Sequence, residues 1–490
     1  MQRIADSNFR KSRVLLSLIS MVVVGLLPAA IARAQILYTG VNLSGAEFGN
    51  TPTPGHVGTY GTDYTYPTDQ EVDYFLSEGM NTFRVPFRWE RLQPTPNAPF
   101  NSAEFARLNS FVTYATSHGA TVILDPHNYG RYYPDPNNSQ GSTQGLIGSS
   151  VPDSEFDDLW SRLAQDYKNN PNVAFGLMNE PNSMPTEQWV TAANSAISAI
   201  RATGASNLIL VPGNAWTGAS SWDQNWYGTP NATAMLNIVD PGHNFAIEVH
   251  QYLDDNSSGT SATIANNDPN IGVERLTDFT QWLEANHLRG FLGEFAAANS
   301  TMGAGQIGNQ AITNMLNYMQ ANSSAWLGWT WWAAGPWWGN YMFTLEPNNL
   351  GKPNQTNQAA MSVLASHVAG VYANSDVNHD AIVNTQDLAL VSSNWLKTGA
   401  GLVGDVNRDG IVNSQDLALI SSQWLQAGDG QSSAAVSVPE PAAATQAGLA
   451  ALSSLAVIAI FRVRRALRRW CPRRTAKLRF CARIFCSRPL

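Results

Sequence analysis

Between residues 36 and 370 eight apolar runs recur: "ILYTGVNLSG", "NTFRVPF", "ATVILDPH", "NVAFGLMNE", "NLILVPG", "NFAIEVHQY", "LRGFLGEF" and "WLGWTWWA". Each is short, nearly continuous in its apolar residues and bounded by polar or turn residues, as strands buried on both faces are. Stretches with helical spacing stand between most of them: "DQEVDYFLSEG", "AEFARLNSFVTYATSHG", "FDDLWSRLAQDYKN", "TEQWVTAANSAISAIRATG", "GVERLTDFTQWLEANH" and "NQAITNMLNYMQAN". "NQAAMSVLASHVAG" follows the last run. Several of these stretches end at Gly or Asn, which suit a helix C-terminus. The alternation predicts an α/β protein with a parallel sheet, and eight such units closing on themselves predict a (β/α)₈ TIM barrel over residues 35–371. The fifth unit is thin: after the Trp-rich "AWTGASSWDQNWYGT" only "TAMLNIV" offers a helix. A doubly wound open sheet is the competing arrangement, but the Gly-rich phosphate turn it normally carries is missing.

The C-terminal ends of barrel strands form the face on which active sites are built. There the sequence puts Arg84, His127, Asn179 with Glu180, His250 with Tyr252, Glu294, and Trp331 with Trp332. Taken singly, each has an ordinary structural explanation, such as a helix cap, a hydrogen-bonded core histidine or a packed indole. Their joint occurrence at strand ends is harder to explain that way. Two carboxylates from separate strands, ringed by polar and aromatic groups, are the inventory of glycoside hydrolysis. One carboxyl protonates the leaving oxygen and the other attacks the sugar carbon, so their environments must differ.

These residues lie in "GVNLSGAEFG", "FRVPFRWERLQP", "DPHNYGRYY", "MNEPN", "VHQYLDDNSSG", "GEF" and "WWAAGPWWGNYMFTLEP". In this order and spacing, the set resembles glycoside hydrolase family five, and within it the subfamily five endoglucanases, over about residues 36–370. "NEP" or "GEF" alone would carry little. The resemblance implies a retaining endo-β-1,4-glucanase, a cellulase that needs no cofactor for catalysis. It implies Glu180 as acid/base and Glu294 as nucleophile, with Asn179 on the sugar 2-hydroxyl and Arg84 near the nucleophile, keeping it ionised. His250 and Tyr252 match the family's H-x-Y pair and His127 its third-strand histidine. Trp332 matches the platform under the sugar at the cleavage point, with Trp331 as the register alternative. Trp216, Trp337 and Trp338 are candidates for further subsites. Retention predicts a carboxyl separation of about 5–5.5 Å. The family's machinery also serves mannan and glucomannan, so those substrates are the alternative among enzymes. A catalytically inactive, carbohydrate-binding surface protein is the alternative outside them.

A second pattern begins at residue 376: "DVNHDAIVNTQDLALVSSNWL" recurs as "DVNRDGIVNSQDLALISSQWL". The first copy sets oxygen side chains at Asp376, Asn378, Asp380, Asn384 and Asp387; the second sets them at Asp405, Asn407, Asp409, Asn413 and Asp416. This is the spacing of an EF-hand type of Ca²⁺ loop, with Asp in place of Glu at the last position. Gly410 supplies the sharp turn in the second loop, and Ala381 stands there in the first, which predicts a weaker site. The duplication resembles a dockerin type I module, a small all-α Ca-binding unit over residues 372–428, and implies a cohesin-type partner. So short a segment buries little core, so calcium is expected to hold it folded.

Charge separates the ends from the middle. Residues 1–34 combine early Arg and Lys, an apolar run and Ala32-Arg33-Ala34, the pattern of a signal peptide; an uncleaved anchor is the alternative. A linker over 429–442 carries "VPEP", residues 443–461 are apolar and uncharged, and the tail 462–490 holds ten Arg, one Lys and no acid. This ending resembles a PEP-CTERM sorting segment, which implies an exosortase-type processing enzyme. A single transmembrane segment with its basic end inside is the plainer alternative. Either way the protein is expected to be exported, extracellular or at the cell surface, and membrane-anchored at least transiently. Residues 35–461 carry 13 basic and 36 acidic residues, a net charge of −23 that argues against nucleic acid as partner. Cys471, Cys481 and Cys486, the three cysteines, all lie in the tail, so the body holds no disulfide.

Overall fold

A computed structural model describes residues 36–49, 57–133 and 144–368, and within the repeat region residues 377, 383, 385–398, 403–404, 406, 411–414, 416–417 and 420. All eight apolar runs form strands: β1 (Tyr38–Leu43), β2 (Thr82–Phe87), β3 (Thr121–Pro126), β6 (Val173–Gly176), β7 (Ile209–Pro212), β8 (Phe245–His250), β9 (Gly290–Glu294) and β10 (Trp326–Ala334). A two-stranded hairpin, β4 (Arg131–Tyr132) with β5 (Gly145–Leu146), was not anticipated. The eight long strands close in the order β1-β10-β9-β8-β7-β6-β3-β2. β1 pairs in parallel with both β2 and β10, which decides for a closed barrel over an open sheet.

Burial follows from the continuous apolar runs. β2 is buried at every position and β1 at all but Tyr38. The outer helices have identifiable starts. Asn101 Oδ1 accepts from the Ala103 and Glu104 amides, both at 3.1 Å, and caps the helix Ser102–Ser117. Thr68 and Glu71 form a capping box ahead of the helix Asp69–Ser77. The thin fifth unit is real: it holds a single turn, Asn231–Ala234, and a 3₁₀ turn, Met235–Asn237. Buried Trp222 from the preceding loop fills part of the wall, with its ring 4.9 Å from Phe279 and 5.3 Å from Trp282.

In the repeat region Val383, Val391, Val406, Val412 and Ile420 form a small separate core. Thr385–Ser393 is helical. An antiparallel bridge joins Thr398 and Ile411, so the described part is not purely α. Asp387 and Asp416, the last oxygen positions of the two loops, are fully buried. Asp416 accepts from the Val406 and Asn413 amides at 2.7 Å each, bracing the second loop through backbone it already contains. Asp376, Asn378, Asp380, Asn384, Asp405, Asn407 and Asp409 lie outside the described residues. So do the signal segment 1–34, the linker 429–442, the apolar segment 443–461 and the tail 462–490. Among the described residues no helix is long and apolar enough to cross a membrane.

Candidate active site

The strand ends bring the two glutamates together. Glu180 follows β6 by a short turn and Glu294 ends β9. One oxygen from each carboxylate and one nitrogen of His250 all lie within 4.8 Å of one another. Glu180 has φ +44°, in the left-handed region that a Glu seldom visits. Such conformations persist where the surroundings hold them, and they gather at functional sites. Glu180 Oε1 is 2.8 Å from His250 Nδ1. Glu294 Oε1 accepts from Arg84 Nη1 at 3.0 Å, and its Oε2 accepts from the Tyr252 hydroxyl at 2.7 Å.

Arg84 is fully buried in β2 and organises several strands at once. Beyond Glu294, its Nη1 donates to Asn42 Oδ1 at 2.9 Å and its Nη2 to Asn179 Oδ1 at 2.8 Å. Asp125 Oδ2 lies 3.2 Å from Nη1, and Glu248 Oε1 lies 3.0 Å from Nε. Asp125 also meets His127 Nδ1 at 2.9 Å, while Asn179 Nδ2 lies 3.1 Å from His127 Nε2. The amide nitrogen can only donate, so the pattern assigns the His127 proton to Nδ1.

These contacts set the charges. Burial pulls His127 down to about 4, so it is neutral at ordinary pH. Burial would lower His250 too, but Glu294, Glu180 and Glu248 reverse that and push it up to about 10. Burial lifts Asp125 to about 7 against the pull of Arg84. Burial also raises Glu294 above the usual carboxylate range, with His250 and Arg84 opposing. Arg84 therefore works against a net rise and does not by itself depress the Glu294 pKa. For Arg84, burial is outweighed by Asp125, Glu248 and Glu294, which hold it firmly protonated.

Aromatic groups line the rim. Trp332 is half-buried, stacks on His127 at 5.4 Å and meets Trp338 edge-on at 5.9 Å. Trp331 points into the wall: it is fully buried and its indole donates to the Phe343 carbonyl at 2.8 Å. Trp338 stacks on Tyr341 at 4.2 Å. Trp216 is 41% exposed, and its amide donates to the Pro181 carbonyl beside Glu180. The rings of Trp226 and Tyr227 lie 6.3 and 6.2 Å from it. Trp337 is equally exposed, at 41%.

Residues 41–335 match the model of the cellulase family, glycosyl hydrolase family 5. The chain belongs to glycosyl hydrolase family 5. As a member of that family it is a glycoside hydrolase. Residues 374–421 match the dockerin type I domain. Endo-beta-1,4-glucanase B of Aspergillus niger is 42% identical over 318 residues, 64% of this chain and 87% of that protein. An endo-beta-1,4-glucanase of Xanthomonas axonopodis pv. citri is 45% identical, with a TM-score of 0.61 over 68% of this chain and 98% of the other. XacCel5A, solved in complex with cellopentaose, is 44% identical, with a TM-score of 0.61 over 68% of this chain and 99% of the other.

Three buried polar residues that pattern reading passed over contact Arg84. Asn42, Asp125 and Glu248 sit inside apolar runs and are buried beneath the two glutamates. A signal was present. Asp125 stands two residues before His127 and Glu248 two before His250, so in an extended chain each shares a face with a strand-end residue.

Proposed function

We propose that this protein is a retaining endo-β-1,4-glucanase that cuts internal bonds of cellulose or related β-glucans by double displacement. The observation that carries this reading is that one carboxylate oxygen of Glu180 and one of Glu294 lie within 4.8 Å of each other. An inverting enzyme needs a gap of roughly 6.5–9.5 Å for its water. Glu294 attacks the anomeric carbon while Glu180 gives its proton to the departing glycosidic oxygen. Glu180 then takes a proton from water, which attacks the same carbon and frees the Glu294 carboxylate. Arg84 and Tyr252 hold Glu294 by a hydrogen bond to each oxygen. Asn179 gives one amide hydrogen to His127, leaving the other for the sugar 2-hydroxyl. Trp332 forms the platform at the cleaved bond, and Trp216, with Trp226 and Tyr227 beside it, supports the glucan beyond Glu180. The names of the fungal and Xanthomonas relatives and the cellopentaose complex favour β-1,4-glucan over mannan. An inactive barrel fits poorly, because both carboxylates and their partners are in place.

Reducing-sugar release from carboxymethylcellulose and from mannan tests this, with Glu180→Gln and Glu294→Gln as controls. Hydrolysis of carboxymethylcellulose is expected, with rate losses of roughly 10²–10⁴ in the variants. Faster cutting of mannan would overturn the substrate, and undiminished variants would overturn the site.

Residues 372–428 are proposed to bind two Ca²⁺ ions through Asp376, Asn378, Asp380, Asn384 and Asp387, and through Asp405, Asn407, Asp409, Asn413 and Asp416. The all-oxygen donor set suits that hard cation. Exposed Trp395, Leu396 and Ile411 offer apolar surface to a cohesin-type partner. Residues 1–34 are proposed as a signal peptide. The ending from "VPEP" onward is proposed as a sorting segment, read by an exosortase-type enzyme after passage through the membrane.

A further inference from the structure

The double displacement leaves Glu248, a buried carboxylate beside the two reacting ones, without a task. Glu248 stands on β8 two residues before His250, and its side chain is 1% exposed. Its Oε1 lies 3.0 Å from Arg84 Nε and 3.6 Å from His250 Nε2. These are contacts of charge with charge. Neither Glu248 oxygen, nor Arg84 Nε, nor His250 Nε2 has a hydrogen-bond partner of good geometry. The barrel makes room for this group. A Cβ on Gly293 would come within 2.3 Å of Glu248 Oε1. Gly293 directly precedes Glu294. A strand position needed only for packing would hold an aliphatic residue, since a buried charge is costly unless it is paired.

We propose that Glu248 is a positioning residue: it keeps the proton on His250 Nε2, so that Nδ1 is the nitrogen that exchanges a proton with Glu180. This deepens the glucanase reading and rests on Glu180 being its acid/base. With Nε2–H facing Glu248, a proton between His250 Nδ1 and Glu180 Oε1 has two places to rest, 2.8 Å apart. When Glu180 is ionised, His250 holds that proton as an imidazolium; when the proton passes to Glu180, Nδ1 is left neutral and Glu180 can deliver the proton to the glycosidic oxygen. The other charged groups facing His250 are Glu180 itself, Glu294 from β9, Asp125 from β3 and Arg84 from β2. Of the carboxylates within 4 Å of a ring nitrogen, Glu248 is the one on Nε2, and Glu180 and Glu294 are on Nδ1.

The experiment is ¹⁵N-histidine NMR of the full chain across pH, with His250→Gln used to assign the ring. In the unliganded wild type, both His250 nitrogens are expected to be protonated at pH 7, in keeping with its rise to about 10. In Glu248→Gln the titration midpoint is expected to fall by about one to three pH units. The kcat on soluble β-glucan is expected to fall about tenfold or more, with KM nearly unchanged. Glu248→Asp keeps the charge and is expected to keep the ring doubly protonated. A wild-type His250 that is neutral with its proton on Nδ1 would overturn the proposal, even if Glu248→Gln fails to fold. So would an unshifted His250 titration in Glu248→Gln, whatever happens to its rate. Failure of the wild type to cut β-glucan would instead sink the glucanase reading and leave the ring measurement standing.

Discussion

Asn42 touches Arg84 through its oxygen at 2.9 Å and donates to the Gly293 and Trp331 carbonyls at 2.9 and 3.0 Å. One amide thereby ties β1 to β2, β9 and β10 directly beneath the carboxylates. Asn42→Ala removes an acceptor from Arg84, which keeps Glu294, and a donor from the Gly293 carbonyl, which keeps the Thr330 hydroxyl, so a loss of about 1–3 kcal/mol in all is expected. A lowered melting temperature by calorimetry is expected, together with weaker activity as Arg84 loosens. Unchanged melting would refute the brace. The same residue shows where reading the sequence stops. His127 and His250 were legible because they stand where an apolar run gives way to polar residues, whereas Arg84 lies within β2 and was carried by the motif "FRVPFRWERLQP". Asn42, Asp125 and Glu248 were not legible, because a buried strand tolerates a polar residue only when partners from distant strands satisfy it, and those partners are not visible along the chain.

At the scale of the element, β10 separates two adjacent indoles by the alternation of the strand. Trp331 packs edge-on against Phe295 at 5.3 Å and hydrogen-bonds inside the wall, while Trp332 faces the cleft. Trp331→Ala should therefore cost about 3–5 kcal/mol of stability. Trp332→Ala should leave melting much closer to wild type and raise KM for cello-oligosaccharides. Parallel calorimetry and steady-state kinetics check this, and the opposite pattern would mean that the register is inverted. In a run as uniformly apolar as "WLGWTWWA" the period of two is invisible, so both residues had to be kept as candidates. The eight strands were legible for the converse reason: continuous apolar runs are what a sheet covered on both faces requires. The β4–β5 hairpin, only two residues on each side, is too short to leave a periodic trace.

For the whole molecule, the buried acid Asp125 and the half-buried acid Glu346 bear on the response to pH. Burial, with Glu71 adding to it, lifts Glu346 from 4.5 to about 8, and burial lifts Asp125 from 3.8 to about 7. Both folded values lie above the unfolded ones, so the folded state holds protons that the unfolded chain releases. Their stabilisation is complete below about pH 4 and is lost as pH rises through 7 to 8. Melting temperature should fall across that window, and Glu346→Gln should flatten part of the fall; a variant as steep as wild type would count against the assignment. The proposed calcium sites lie elsewhere. The small core around Val391 and Val412 shares no residue with the barrel core. Excess chelator should abolish or lower a minor melting transition of the full chain, while the main transition and the hydrolysis of carboxymethylcellulose persist. Loss of the main transition would show that the barrel needs the metal.

The seam between β1 and β10 has a topological consequence. Leu37 donates from its amide to Leu327 and accepts at its carbonyl from the Asn81 side chain, while Val368 lies against Gly79. Both ends of the barrel chain thus converge on the same short turn ahead of β2. A ring has no privileged starting point, and residue 36 is the beginning of this one only by the order of synthesis. Joining 368 to 36 by a short linker and opening the exposed, uncrowded turn at Gly204 would give a circular permutant that enters the barrel at β7. It would keep every strand pairing, and with them the facing of Glu180 and Glu294, although those residues would now be separated by the new ends of the chain.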